Sequence, residues 1–375
     1  MSALLAVVAT LAAMPSTAYV PSCSCTAFLP DYVQAPPATP AALFGSWPDH
    51  KDREPHAGET HLRNIKQLTF GGQNAEAYWN LDATKLIYQS RQPIYPDEQI
   101  FTMNADGSNK RLVSTGLGRC TCAYFIPDGS GILFSSTHAR NVGAQPPVDM
   151  SRGYVWMVNP NFELFRAEPD GSNPRRILNL PGYVAETTIA PDGSYMVFTS
   201  DFEGDLQIYR ANLDGSNLKR LTNEEGYDGG PFVSWDGKKI VYRRSTPMDE
   251  AALADYKSLL AQHLVRPNKL EVWIMDADGS NKRQVTNLNA ASFAPFLHPD
   301  GKRIIFSSNY GDPRAREFDL WMINVDGTGL TRITHTPDFD GFPMFSRDGK
   351  KLVWASNRFG SVPGETNVFV ADWVD

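Results

Sequence analysis

Two Asp-Gly signals alternate along the chain at fixed offsets from aromatic residues, and this internal repeat constrains the fold more than any other feature. The first signal stands at Asp128, Asp192, Asp236, Asp300 and Asp348, with Asp82-Ala83 as a degenerate sixth copy. An alternating apolar run follows each copy. An aromatic stands six residues after the Asp in all six: Tyr88, Phe134, Phe198, Tyr242, Phe306 and Trp354. The second signal is a DGS or DGT turn at Asp106, Asp170, Asp214, Asp278 and Asp326. Here an aromatic precedes the Asp by five: Phe101, Phe165, Tyr209, Trp273 and Trp321. Asp-Gly between β-type runs marks hairpins, because Gly accepts positive φ and Asp caps the turn.

Each repeat therefore predicts four short antiparallel strands, and six repeats predict an all-β, six-bladed β-propeller over residues 65–375. The sixth repeat ends in a third strand at 366–371 with nothing after it. A spare fourth strand, 65–69, precedes the first repeat and is expected to pair with it, closing the ring and removing two open edges. The first-signal spacings are 46, 64, 44, 64 and 48 residues, so two blades carry insertions. One, residues 138–160, is rich in Pro, Gly and aromatics. The other, 247–265, reads as a capped amphipathic helix with Leu253, Tyr256, Leu260 and Leu264 on one face.

Residues 1–18 hold no charged side chain, carry an apolar stretch from Leu4 to Met14 and end in small residues, the pattern of a signal peptide. Residues 19–64 contain seven prolines and no periodicity, and read as a disordered tether in which His50, His56 and His61 face water. The formal net charge of −7 argues against a nucleic-acid partner. No apolar run reaches the roughly 18 residues of a membrane span.

Inner strands line a propeller's central channel. Six residues before the first Asp stand Glu76, Cys122, Glu186, Gly230, Ala294 and Phe342; eight before it stand Asn74, Cys120, Val184, Asp228, Ser292 and Asp340. Positions two apart share a strand face. Glu76, Glu186, Asp228 and Asp340 are thus expected at one mouth, as a site for Ca²⁺ or a cationic peptide, or simply as a solvated acidic rim. Arg243 and Arg244 replace the small polar residues of the other repeats. They offer an anion contact, a salt bridge to the acidic mouth, or pairing with the helical insertion. His138, after the second strand of blade 2, completes the candidate set. No residues stand at metal-ligand spacing, and no cofactor is expected apart from that Ca²⁺.

Residues 190–200 (APDGSYMVFTS) and 298–309 (HPDGKRIIFSSN) resemble TolB-type propeller repeats. The resemblance implies a periplasmic or cell-envelope location and a binding platform, without the α/β domain that precedes the propeller in TolB. The same propeller occurs in prolyl-oligopeptidase-like peptidases, but no Gly-x-Ser-x-Gly elbow is present here. The expected function is an exported, monomeric scaffold that binds an envelope protein, peptide or glycan. The alternative is a lyase or hydrolase of glycan-type substrates with His138 or His298 and the carboxylates in the channel. That alternative requires His138, Glu186 and Asp228 to converge.

Overall fold

A computed structural model describes residues 48–337 and 339–375. Six antiparallel sheets follow one another as the blades of a propeller. Blades 1 to 5 start at the inner strands Gln73–Trp79, Cys120–Phe125, Val184–Ile189, Tyr227–Val233 and Ser292–Leu297, and each has four strands. Blade 6 starts at Asp340–Phe345.

The repeat works through local hydrogen bonds. In all six copies the first-signal Asp accepts the N–H of the residue two further on, at 2.7–3.1 Å. The residue between them has positive φ: +70° to +77° at the five glycines, and +55° at Ala83. Ala83 thus holds a conformation costing an L-residue roughly 1–2 kcal/mol, which the surrounding turn enforces.

The two aromatic offsets turn out to be one contact. The residue six after the first Asp lies directly opposite the residue five before the second, as Tyr88↔Phe101, Phe134↔Phe165, Phe198↔Tyr209, Tyr242↔Trp273 and Phe306↔Trp321. Blade 6 supplies Trp354↔Phe369. In blades 1 to 4 and 6 the two rings lie 5.6–6.4 Å apart, and such pairs add about 0.5–1.5 kcal/mol each beyond their burial, while in blade 5 Trp321 meets Tyr310 instead.

The ring closes as expected. Strand Leu62–Gln67 pairs antiparallel with Asn367–Trp373, with Lys66 opposite Val370 and Gln67 opposite Phe369. The Leu68 N–H donates to the Val368 carbonyl at 2.8 Å. Regular structure begins before the expected boundary at 65, because Lys51–Arg53 adds a fifth strand outside the closing one. Nearby, Glu59 is buried against Arg358, with oxygen–nitrogen distances of 2.9 and 3.2 Å. His61 does not simply face water: it stacks on Trp373 at 4.9 Å and its Nδ1 bonds the Val374 carbonyl. The expected signal peptide and the rest of the expected tether lie outside the described residues. Among the described residues no helix is long and apolar enough to cross a membrane.

The insertion of blade 4 contains the expected helix, Glu250–Leu260, capped by the Asp249 carboxylate on the Ala252 N–H at 2.7 Å. Its buried anchor is Leu259, and Leu264 lies beyond its end, in a two-residue strand. That strand, Leu264–Val265, pairs antiparallel with Trp156–Met157 of the blade 2 insertion. Arg152 reinforces the junction through Asp255 of the helix at 2.6 Å.

Candidate functional site

Each inner strand carries a β-bulge at the same place, which builds the site. The six residues six before the first Asp all have φ between +50° and +61°: Glu76, Cys122, Glu186, Gly230, Ala294 and Phe342. The register of every inner pair shifts there. A bulge inserts a residue and breaks the period-two alternation. The bulged positions line a central cavity of about 360 Å³. The residues two earlier are instead buried opposite the ends of the second strands, as Asn74↔Ser90, Cys120↔Ser136, Asp228↔Arg244 and Asp340↔Ser356.

Below the bulged ring, an apolar layer fills the channel. Phe232 lies 5.1 Å from Tyr78, 6.1 Å from Tyr124 and 5.2 Å from Phe296, and Met344 is fully buried against Trp79, the neighbour of Tyr78 on blade 1. The cavity therefore has a floor. Its roof comes from the paired insertions: Trp156, Met157 and Val265 line it, with Val148, Met150 and Tyr154. Trp156 meets Phe293 edge-on at 5.6 Å. Aromatic walls with few polar groups are the usual composition of a small-ligand site, and the volume lies in the usual range of about 300–1,000 Å³.

The polar groups are concentrated on blades 1 to 4. Arg243 pairs with Glu186 and with the Tyr227 hydroxyl, and the Gly230 N–H donates to Glu186 at 2.8 Å. Burial works against the Glu186 carboxylate, but Arg243 together with the Thr199 hydroxyl and the Gly230 N–H outweighs it and holds the group below its ordinary range. Glu76 behaves oppositely. Burial pushes its carboxyl up to about 7, and the nearby Glu186 adds to the rise. The Tyr78 hydroxyl lies 3.4 Å away. Two carboxyls in one cavity are thus shifted in opposite directions, because only one has a committed cation.

The structure brings Glu76, Glu186 and Arg243 together and separates the other three candidates from them. Asp228 is fully buried in blade 4, 3.2 Å from Arg244, and burial pushes its carboxyl up to about 7. Asp340 is fully buried in blade 6, bonded by Arg358 at 3.0 Å and by the Trp354 Nε1 at 3.1 Å. His138 is 3 % exposed, bonds Ser136 Oγ through Nδ1 at 2.7 Å and lies 4.2 Å from Phe165. Burial lowers its pKa to about 4. The four-carboxylate mouth is thus not assembled, and His138, Glu186 and Asp228 do not share a pocket. Among the described residues no group of three or more His, Cys, Asp or Glu is arranged to hold a metal ion. Arg243 and Arg244 both form salt bridges to carboxylates of the propeller, not to the helix.

Sequence reasoning missed Tyr78, Tyr183, Tyr227 and Trp156 as cavity residues. Tyr183 and Tyr227 each stand nine residues before the first-signal Asp of their blade, and Tyr78 stands four before its own, an offset that Tyr124, Phe232 and Phe296 share, so these offsets were a signal that could have found them; Trp156 lies in an insertion outside the repeat. Cys122 belongs to the bulged ring and lines the cavity, whereas Cys120 is turned into the blade beside Ser136; both thiols are free.

The family model described as TolB beta propeller domain matches residues 155–265. A TolB-type protein from Agrobacterium tumefaciens superposes with a TM-score of 0.53 at 18% identity, over 81% of this chain and 91% of that one. TolB from Acinetobacter baumannii gives 0.53 at 19%, over 77% and 63%. A gluconolactonase from Xanthomonas campestris gives 0.52 at 13%, over 87% and 95%. The dipeptidyl-peptidase 5 of Porphyromonas endodontalis is 22% identical over 123 residues, 32% of this chain and only 15% of that protein. By blade count and strand order the chain is a six-bladed β-propeller, similar in fold to TolB-type propellers and matching the TolB beta propeller domain over residues 155–265.

Proposed function

We propose that this protein is an exported binding propeller whose ligand site is the roofed cavity, taking a terminal segment of a peptide or a short glycan of the cell envelope. The observation that carries the reading is the pairing of the two insertions. Trp156–Met157 and Leu264–Val265 are two-residue strands from different blades. Together they cover a cavity walled by Tyr78, Tyr183, Tyr227 and Phe342. A flat protein-docking platform has no use for such a roof, whereas a small ligand needs most of its surface enclosed. The floor makes the cavity blind, so the ligand enters and leaves beside or under the insertions. Export is supported by the leader-like stretch at residues 1–18 and by the likeness to TolB.

Thermal-shift screening of short peptides and oligosaccharides, followed by titration of the hits, tests this reading. Hits should lose most of their affinity for Trp156→Ala and Phe342→Ala. Hits that bind both variants like the parent would remove the cavity as the site.

A further inference from the structure

We propose that the roofed cavity is an organic-ammonium site, in which Glu76 meets the positive group and Tyr78, Tyr183 and Trp156 enclose it and its apolar stem. This inference rests on the cavity being the ligand site, and it adds the chemical class of the ligand.

The charges of the lining carry the argument. The charged side chains that line the cavity are Glu76, Arg119, Glu186 and Arg243. Arg119 is taken by Glu98 at 2.9 Å, and Arg243 by Glu186. Glu76 remains without a cation of its own. The groups that face it are the Tyr78 hydroxyl on its own strand, the Cys122 thiol of blade 2, Glu186 of blade 3 and Arg243 of blade 4. A carboxyl in such a setting is held toward its neutral form by desolvation, and an incoming cation reverses that preference.

The aromatic residues point to the same class. The Arg243 guanidinium already lies 4.9 Å from the Tyr227 ring centroid and 5.5 Å from that of Trp156, so these rings tolerate a cation in this space. Ammonium groups are favoured over Trp and Tyr faces. Ca²⁺ takes six to eight oxygen ligands, of which two carboxyls, one of them committed to Arg243, supply few. An anion would be placed beside Glu76 and Glu186, with both arginines already engaged.

Benzylamine, benzyl alcohol and benzoate share a ring and differ in charge, and benzylamine stays protonated between pH 6 and 8. Calorimetric titration of the full chain should show benzylamine binding at least about tenfold more tightly than benzyl alcohol, with no binding of benzoate. As Glu76 ionises, benzylamine should bind roughly ninefold more tightly at pH 8 than at pH 6. Glu76→Gln, checked for native circular dichroism, should abolish both the preference and the pH effect. Benzyl alcohol binding as well as benzylamine overturns the proposal, as does benzylamine binding unchanged in Glu76→Gln or no binding of benzylamine at all. If peptide or glycan hits are nevertheless lost in Trp156→Ala, the cavity stands as the site and the ammonium assignment alone falls.

Discussion

Arg243 of blade 4 reaches Glu186 of blade 3 through the space left by the missing side chain at Gly230. A Cβ at Gly230 would collide with the Arg243 guanidinium, and Gly230 itself holds φ at +57° while donating its N–H to Glu186. The pair is nearly buried, with side-chain exposures of 7% and 14%. Three residues that look unrelated in sequence therefore form one unit, and the cavity's charge balance depends on it.

Gly230→Ala should displace Arg243 and cost about 2–4 kcal/mol, and Arg243→Met, which leaves Glu186 buried and unpaired, about 3–5 kcal/mol. Denaturant titration should show lower midpoints with unchanged slopes. The double variant Glu186→Gln/Arg243→Met should regain much of the loss. A double variant as unstable as the sum of the singles would contradict this account.

Glu76 should make the protein less stable as the solution becomes more alkaline. Its native carboxyl is raised from the ordinary 4.5 to about 7. The folded state therefore holds the proton more tightly than the unfolded state across that window, and stability falls as pH rises through it. Glu76→Gln should remove this component, which is at most about 3 kcal/mol, and be stabilising at pH 8 but not at pH 4. Denaturant midpoints of parent and variant, measured across this range, should converge at the acid end.

Glu59 should be essential to ring closure although it precedes the first blade. It accepts the backbone N–H groups of His56 and His335 and pairs with Arg358, which also bonds Asp340. Burial raises its carboxyl, but Arg358 and these hydrogen bonds outweigh that and hold it below its ordinary value. Glu59→Ala should cost about 3–5 kcal/mol by leaving Arg358 undercompensated. Hydrogen exchange should then be fastest at the seam between residues 62–67 and 367–373. Uniform acceleration across all six blades would argue against a seam lock.

Stapling the roof should control access. Met157 and Leu264 are opposite one another in the antiparallel pair. Opposed residues of such a pair lie about 4.5–5.5 Å apart at Cα, within disulfide reach. Met157→Cys/Leu264→Cys should slow association of a cavity ligand when oxidised and restore it on reduction, read by stopped-flow fluorescence. Equal rates in both redox states would mean that ligands enter elsewhere.

The blade count and the aromatic offsets were legible because each rests on local spacing, and the closing seam because a spare fourth strand at one end matched a missing one at the other. Asp–Gly turns fold from a few neighbouring residues, and an aromatic at a fixed offset keeps its place on the strand. The assignment of side chains to the channel was half right for a specific reason. Glu76 and Glu186 reach the cavity, but Asp228 and Asp340 do not. Simple alternation put all four on one face, whereas the bulge at each inner strand sends positions two residues apart to different surroundings.

By itself the sequence determined the number of modules, their order and the residues that pin each one, because turn chemistry and period-two patterning act over a handful of residues. The tertiary structure alone decided that two remote insertions meet as a roof, that Arg243 passes Gly230 to reach Glu186, and that Glu76 is left without a cation. Those facts depend on which blades face one another across the axis and on how deeply each charge is withdrawn from water. Neither is written in the spacing of residues along a strand.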